Sequence, residues 1–249
     1  MSKTDLAWLT ERPIAHRGLH DAAVGRIENT ATAALAAIAG GYAIECDVQI
    51  SADGEAMVFH DDNLDRLTEA QGSVATLPAT ELRRIALKNT TDTIMTLGEY
   101  CDLIDRRATL IVEIKSRFDG DRRLADRVVK ILKACRGPVA AMSFDPLPVT
   151  VVRHIAPKLF RGIVAERHYT HPEWHFLTPA QKRSLAWMLH APASRPQFIA
   201  YHVTDLPTAV PSFARILGLP VLTWTVRTDA QRQVAKRNAD QMIFEGFRA

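Results

Sequence analysis

The chain has 249 residues, of which 47% are hydrophobic and 24% charged, and its formal net charge is +3. These values are ordinary for a globular enzyme, and the length suits a single α/β barrel. The basic residues are scattered along the chain, which argues against a dedicated nucleic-acid surface. The three cysteines form no spaced pair, so neither a disulfide framework nor a cysteine zinc site is expected.

No segment has the pattern of an export signal or a membrane helix. The first residues, MSKTDLAWLTERP, lack the apolar core of a signal peptide. The most apolar stretch, 31–44, is too short to span a bilayer. We therefore expect a cytoplasmic protein without an integral membrane segment, folded as one domain over residues 1–249. The oligomeric state stays open at this point, and a homo-oligomer is one outcome.

Strand-like and helical patterns alternate along the chain. Eight segments have the apolar pattern of a strand: 13–15, 43–50, 109–114, 139–144, 160–165, 198–203, 221–226 and 242–244. Helices are predicted between them at 31–39, 121–135, 146–155, 178–189, 206–217 and 229–238, with shorter helices beginning near 78 and 96. Such alternation implies parallel pairing, and eight units imply an α/β fold of the (β/α)8 TIM-barrel type.

Two features modify this predicted barrel. After strand two, the turn residues Asp53-Gly54 and the apolar run 57–59 predict a small hairpin. After strand five, residues 166–197 form an unusually long loop. An open, doubly wound sheet is the alternative fold. It normally has a glycine-rich phosphate loop after its first strand, and this sequence has none.

Two carboxylates lie on one face of the second predicted strand. Because strand side chains alternate, Glu45 and Asp47 point the same way. Cys46 points the opposite way, and we expect it to pack against a helix. Two acids this close repel unless positive charge lies between them, and a metal ion is the usual solution. A solvated edge strand is the competing interpretation, which the apolar flanks of the segment disfavour.

Chemically reactive residues recur at the carboxyl ends of the predicted strands, where barrel enzymes place their active sites. Random placement would scatter such residues over both ends of the barrel. The residues concerned are His16 and Arg17 after strand one, Glu45 and Asp47 in strand two, His60 at the end of its hairpin, Glu113 and Lys115 at strand three, Ser143 and Asp145 at strand four, and Trp224 late in strand seven.

Three of these acids would suit a hard divalent cation. Glu45, Asp47 and Glu113 would supply oxygen ligands, which favour Mg²⁺ or Ca²⁺ over zinc. Arg17 and Lys115 add positive charge nearby, which suits an anionic group such as a phosphate. A metal, two cations and the paired histidines His16 and His60 together indicate phosphodiester cleavage, in which the metal polarises the phosphoryl oxygens.

Two histidines supply the proton transfers that this chemistry needs. His16 and His60 are predicted to act as base and acid on opposite sides of the phosphorus. The sequence does not indicate which histidine has which role. Taken singly, a histidine or lysine at a strand end is more often structural than catalytic. Only their joint placement favours catalysis.

At these residues the sequence resembles the glycerophosphodiester phosphodiesterase family, part of the wider phosphatidylinositol phospholipase C-like superfamily. The combination of HRG, ExD, HD after a DG turn, and ExK is specific, and the matching segments span most of the chain. They are IAHRG (14–18), ENT (28–30), ECDVQISADGEAMVFHDDNLDRLT (45–68), EIK (113–115), SF (143–144) and TWTV (223–226). The resemblance implies a TIM-barrel hydrolase that converts a glycerophosphodiester into an alcohol and glycerol 3-phosphate.

The resemblance also implies residue roles and a divalent cofactor, Mg²⁺ or Ca²⁺, with Mn²⁺ as a further candidate. The chain ends in ADQMIFEGF where the family more often has ADGIITD, so Glu245 is the candidate to replace that aspartate. The implied roles are metal ligation by Glu45, Asp47 and Glu113, acid–base catalysis by His16 and His60, phosphate binding by Arg17 and Lys115, and a substrate contact by Trp224.

The loop 166–197 leaves the barrel at the same end as these residues, so we expect it to cover the mouth and select the leaving alcohol. A dimer contact is the alternative. Three histidines in the loop allow a zinc site, although Pro172 interrupts any helical spacing. The loop residues concerned are Tyr169, Trp174, Phe176 and Trp187 for the apolar surface, and His168, His171 and His175 for zinc.

Two other functions remain compatible with the sequence. The same centre would serve a lysophospholipase D that acts on lipid substrates, which the lack of a membrane segment disfavours. A phosphate-ligand sensor on a barrel scaffold would bind without turnover, which the retained histidine pair disfavours. The preferred head group and the metal used in the cell are not indicated by the sequence.

Overall fold

The computed structural model describes residues 6–249 and contains a closed barrel of eight parallel strands. Around the barrel the order is β1-β9-β8-β7-β6-β5-β4-β2, and β1 also pairs with β2, which closes the sheet. The short β3 pairs with β2 in the antiparallel direction. The strands are β1 Ile14–Ala15, β2 Ala43–Ile50, β3 Ala56–Val58, β4 Leu110–Ile114, β5 Val139–Ser143, β6 Phe160–Ala165, β7 Phe198–His202, β8 Val221–Val226 and β9 Gln241–Phe244.

Helices connect the strands, and the predicted TIM barrel with its small hairpin is confirmed. The helices are α1 Ala7–Thr10, α2 Ala31–Ala39, α3 Ala79–Leu82, α4 Leu97–Ile104, α5 Arg123–Leu132, α6 Pro146–Ile155, α7 Pro179–Ala186, α8 Ala191–Ser194, α9 Ala209–Ile216 and α10 Asp229–Asn238. None of the helices in residues 6–249 is long and apolar enough to cross a membrane.

Several helices are shorter than the sequence pattern predicts. The helix predicted at 178–189 ends at Ala186, and Met188 beyond it has the left-handed backbone conformation, with φ of 51°. A separate short helix, α8, then follows in the same loop. The helix predicted at 206–217 begins only at Ala209, after Pro207 and Thr208.

The barrel interior is filled by apolar side chains from alternate strand positions. Phe198 at the start of β7 is fully buried, and its ring occupies the space where a side chain on Gly162 of β6 would lie. A Cβ atom at Gly162 would come within 2.2 Å of that ring, so the large and small residues are matched. Leu9 of α1 packs into the same interior cluster. Trp8 contacts Phe160, the first residue of β6, so α1 covers the amino-terminal end of the barrel.

A second buried layer lies between the strands and the outer helices. Cys46 is fully buried in this layer with residues of α2, α4 and α5, as its position on the outer face of β2 predicts. The segment 59–96 after the hairpin has its own apolar cluster, centred on Phe59, Leu64 and Leu82. This cluster fixes the hairpin and the residues that follow it against the barrel mouth.

Candidate active site

The turn after β1 is shaped to aim two functional side chains into the barrel mouth. Arg17 has a φ of 55° and Gly18 a φ of 80°, a left-handed conformation that glycine adopts without strain. A Cβ atom on Gly18 would also lie 2.9 Å from Ala33 of α2. The tight turn directs the Arg17 amide to Glu45 Oε2, at 3.0 Å. It also places Arg17 Nε 3.2 Å from Asp47 Oδ2.

Three buried acids face one another at the carboxyl ends of β2 and β4. Oxygen atoms of Glu45, Asp47 and Glu113 all lie within 4.8 Å of one another. Each side chain is almost fully buried. Burial, followed by repulsion from Asp47 and Glu113, raises the pKa of Glu45 well above its ordinary value.

Asp47 has the opposite electrostatic balance, because cations and a side-chain amide surround it. Burial by itself would raise the pKa of Asp47, but Lys115, His60 and Arg17 hold it well below the usual range. Lys115 Nζ lies 2.8 Å from Asp47 Oδ1 and 2.5 Å from Glu113 Oε1. Asn29 Nδ2 donates to Asp47 Oδ2 at 2.9 Å, and Asn29 Oδ1 accepts from the Asp47 amide at 3.2 Å.

The acid cluster fits a divalent cation. Glu45 Oε1 is buried and accepts no hydrogen bond from any residue that the structure describes. A buried carboxylate oxygen without a partner is costly, and a cation would relieve that cost. The donors are all carboxylate oxygens, the type that Mg²⁺, Ca²⁺ and Mn²⁺ prefer. Within residues 6–249 the only other cluster of metal-ligand atoms is His16, His20 and Glu245, so the loop histidines belong to none.

His16 is held between two acids. Its Nδ1 lies 2.8 Å from Glu245 Oε2, and its Nε2 lies 4.0 Å from Glu45 Oε2. Burial lowers the pKa of His16 from 6.5 to about 4, although the hydrogen bond to Glu245 opposes the shift. His16 is therefore neutral near pH 7. With the proton on Nδ1 facing Glu245, its Nε2 is a free proton acceptor.

His60 lies on the hairpin and has a carboxylate partner of its own. Its Nδ1 is 2.6 Å from Asp61 Oδ1. Both residues line the same cavity, of about 570 Å³, as the acid cluster. Because Nδ1 is engaged by Asp61, Nε2 is the nitrogen left to meet a ligand. All eight residues that the sequence predicts for the site line this cavity: His16, Arg17, Glu45, Asp47, His60, Glu113, Lys115 and Trp224.

An aromatic wall lines part of the same cavity and consists of Phe118, Phe144, Trp174, Phe176 and Trp224. Phe144, which follows β5, contacts Trp224 edge to face at 5.3 Å and Trp174 at 4.8 Å between ring centroids. Phe118 continues the wall, 5.9 Å from Phe176. Trp174 and Phe176 belong to the loop 166–197, so this loop contributes to the mouth of the barrel.

Several residues of the site have no role assigned from the sequence. Glu28 and Asn29 lie in the ENT segment, and Asn29 holds Asp47 in place. Phe144 lies in the SF segment, and Phe118 and Arg227 lie outside the segments that carry the resemblance. Arg227 Nη2 lies 3.1 Å from Glu245 Oε2. Phe144 and Arg227 directly follow β5 and β8, so the strand-end pattern could have indicated both of them. Phe118 lies in the loop after β4, four residues beyond the last residue of that strand, and the pattern does not indicate it.

Fold and cavity together define a class of protein, namely TIM barrels whose carboxyl-end mouth holds an acidic cluster flanked by cations and histidines. The sequence model described as "Glycerophosphoryl diester phosphodiesterase family" matches residues 16–245. The chain therefore belongs to that family.

Relatives and solved structures are similar over nearly the whole chain. A glycerophosphodiester phosphodiesterase of Caldanaerobacter subterraneus is 27% identical over a 241-residue alignment, which covers 92% of this chain and 92% of the relative. A phosphodiesterase of Oleispira antarctica, solved in complex with the product sn-glycerol-3-phosphate, has a TM-score of 0.79 at 23% identity and covers 95% of this chain and 94% of its own. The glycerophosphodiester phosphodiesterase of Thermotoga maritima has a TM-score of 0.70 at 22% identity, covering 93% and 92%. At these identities the two structures support the shared fold.

Proposed function

We propose that this protein is a phosphoric diester hydrolase that cleaves glycerophosphodiesters into an alcohol and glycerol 3-phosphate. The observation that best supports the proposal is one cavity lined by Glu45 with its unpartnered oxygen, by two cations and by two histidines that each contact a carboxylate. Family membership supports the same activity. The product held by the Oleispira antarctica relative is one of the two products proposed here.

A divalent cation, Mg²⁺, Ca²⁺ or Mn²⁺, would be held by Glu45, Asp47 and Glu113. When bound, it would supply positive charge that stabilises the developing charge on the phosphoryl oxygens. Arg17 and Lys115 would bind the same phosphate. Burial by itself would lower the pKa of Lys115, but Asp47 and Glu113 raise it above its usual range, so the ammonium stays charged.

The two histidines would divide the proton transfers between them. His16 is neutral near pH 7 and has a free Nε2, which suits a base that accepts the proton of the attacking oxygen. His60 would donate a proton from Nε2 to the leaving oxygen, while Asp61 fixes its ring through Nδ1. The attacking and leaving oxygens lie on opposite sides of the phosphorus, so one imidazole would not reach both.

The aromatic wall favours a second candidate substrate for the same centre. Phe176 is 47% exposed and lines the cavity, so an apolar alcohol or an acyl chain has a surface to contact. A lysophospholipase D activity would use this surface. Trp224 would contact either kind of substrate, because its indole ring lines the cavity while its Nε1 donates to the Ala200 carbonyl.

A head-group panel tests both candidates. The purified protein is assayed on glycerophosphodiesters with choline, ethanolamine, glycerol and inositol head groups, and on lysophosphatidylcholine, each with and without chelator. We expect turnover of at least one glycerophosphodiester, release of glycerol 3-phosphate, and loss of turnover on chelation. Turnover of the lysolipid alone would favour the lipid activity. Binding of these ligands without any turnover would contradict both.

A further inference from the structure

Arg66 joins two carboxylates beside the active-site cavity. It lies in the segment DNLDRLT, which follows the catalytic His60 and to which the proposed mechanism assigns no role. Its Nε and Nη2 donate to Asp61 at 2.5 and 2.9 Å. Its Nη1 and Nη2 donate to Glu28 at 3.1 and 2.7 Å. One guanidinium therefore makes a two-bond contact with each acid.

Each of these two acids contacts a residue of the site. Asp61 Oδ1 lies 2.6 Å from His60 Nδ1. Glu28 Oε1 accepts from Arg17 Nη1 at 2.6 Å, and Arg17 Nε lies 3.2 Å from Asp47 Oδ2. The result is an unbroken series of charged contacts: His60, Asp61, Arg66, Glu28, Arg17 and Asp47.

The geometry of this series requires a planar guanidinium. Asp61 and Glu28 come from different segments, the hairpin end and the loop before α2, and both are negatively charged. Hydrogen bonds from His60 and Arg66 outweigh burial and keep the pKa of Asp61 below its usual range. Arg66 presents donors to both acids at fixed angles, which a lysine ammonium, a single charged point, does not reproduce.

A purely structural ion pair is the simpler alternative. The Arg66 side chain is 46% exposed, and ion pairs with this much exposure contribute little to stability. That alternative predicts a small effect on folding and none on turnover. A role in orienting the catalytic groups predicts the opposite result, because a small misplacement of a catalytic group lowers the reaction rate even when stability is unchanged.

We propose that Arg66 is a positioning residue that fixes the His60 imidazole through Asp61 and the Arg17 guanidinium through Glu28. This inference rests on the proposed function, because it assumes that His60 and Arg17 act on a phosphodiester. By holding both acids at once, Arg66 sets the separation between the proton donor and the phosphate-binding cation. Turnover therefore depends on a residue that contacts neither substrate nor metal.

Chemical rescue is the first test. We expect Arg66→Ala to lower kcat on the best glycerophosphodiester by about 10- to 100-fold, with an unchanged melting temperature. Added methylguanidinium should restore part of kcat, whereas methylammonium at the same concentration should not. Arg66→Lys should remain impaired despite its charge. Arg83→Ala is the matched control, because Arg83 forms an exposed ion pair with Glu99 away from the cavity.

Double-mutant cycles test separately the contact of Arg66 with Asp61 and its contact with Glu28. If Arg66 acts through Asp61, Arg66→Ala should reduce kcat much less in an Asp61→Asn background than in the wild type. If it also acts through Glu28 on the phosphate-binding Arg17, Arg66→Ala should raise KM, and this rise should shrink in a Glu28→Gln background. An ion pair with only a structural role would leave kcat and KM unchanged in Arg66→Ala, so neither cycle would show coupling.

Three results would overturn the inference. They are wild-type kcat and KM for Arg66→Ala, an equal rescue by methylammonium, and additivity in both cycles. If Arg66→Ala does not fold, Arg66→Gln replaces it in the rescue assay and in both double-mutant cycles. Failure of the proposed function gives a different result from failure of this inference, because the wild-type protein itself would then hydrolyse no substrate of the head-group panel.

Discussion

At the scale of single residues, His16 and His60 both line the cavity but have different surroundings. His16 is buried between Glu245 and Glu45, and its pKa falls to about 4. His60 is a quarter exposed and contacts Asp61. A buried, neutral imidazole suits a proton acceptor, and a more exposed one with a carboxylate partner suits a donor.

Removal of either histidine should therefore affect chemistry rather than metal binding. We expect His16→Ala and His60→Ala each to lose at least about 100-fold in kcat, with metal content measured by elemental analysis unchanged. A nitrophenyl phosphodiester, which has a very good leaving group, should restore turnover to His60→Ala and not to His16→Ala. Near-normal turnover of either variant on glycerophosphodiesters would make that histidine structural.

Glu166, directly after β6, provides a test of pH dependence. Burial, with repulsion from Glu173 and Asp205, raises its pKa from 4.5 to about 7. Because the folded-state pKa is the higher one, its stabilising contribution is full below pH 4.5 and is lost as the pH rises through 7. Glu166→Gln should remove this loss and stabilise the protein above pH 8 by about 1 kcal/mol, after allowance for partial exposure.

Thermal unfolding of Glu166→Gln and wild type between pH 5 and 9 measures this effect. The gain in melting temperature should be about 2–4 °C at the alkaline end and should shrink towards pH 5. Glu69→Gln is the control for the loss of one carboxylate at an exposed position. A constant difference across the pH range would mean that Glu166 does not titrate near neutrality.

At the scale of elements, the loop 166–197 is an ordered part of the barrel mouth. Tyr169 and Trp174 are buried, at 1% and 7% exposure, and pack on Phe118 and Phe144. Truncating either would remove packing as well as any substrate contact. Phe176 lines the cavity while remaining exposed, so it is the better probe of substrate selection.

We expect Phe176→Ala to change the ratio of kcat/KM values among head groups by about tenfold, the lower end of what one apolar contact in a pocket provides. Trp187→Ala is the matched control, because Trp187 is an exposed aromatic of the same loop that does not line the cavity. Equal profiles for wild type and Phe176→Ala, measured on the full panel, would remove this loop residue from substrate selection. An effect of Trp187→Ala on gel-filtration size would instead support an oligomer contact.

At the scale of the whole molecule, closure of the barrel concentrates charge at one end. β1 pairs with both β2 and β9, so the turn after β1 lies between Glu45 on one side and Glu245 on the other. Acids from β2 and β4 then face one another, and Lys115 and Arg17 offset part of their repulsion. A bound cation should therefore stabilise the fold as well as support turnover.

Chelation should abolish turnover, and Mg²⁺, Mn²⁺ or Ca²⁺ should restore it. The same ions should raise the melting temperature, since a ligand at 100 times its Kd adds about 2.7 kcal/mol of stability. Glu113→Gln should weaken both responses, while Glu69→Gln should keep them. Full activity after exhaustive chelation, with no metal found by elemental analysis, would refute the metal site.

Sequence alone determined the parts of the protein that depend on local pattern. Eight strand patterns that alternate with helical patterns predicted the parallel barrel, because parallel neighbouring strands need a crossover connection, usually a helix, between them. The two-residue spacing of Glu45 and Asp47, and of Glu113 and Lys115, placed each pair on one face, and register then aligned Asp47 with Glu113 across β2 and β4. The positions of these residues at the carboxyl ends of their strands therefore predicted that their side chains would meet at the barrel mouth.

Only the tertiary structure decided the contacts that cross between loops. Arg66 reaches Glu28 across 38 positions, and Glu245 reaches His16 across 229. No local pattern predicts contacts between residues so far apart along the chain, because these contacts depend on where the closed barrel places the loops that connect its strands. The same holds for the buried state of His16 and for the wall that Phe118 and Phe176 complete. Burial and long-range electrostatics belong to the assembled barrel, and they give the predicted residues their different chemical characters.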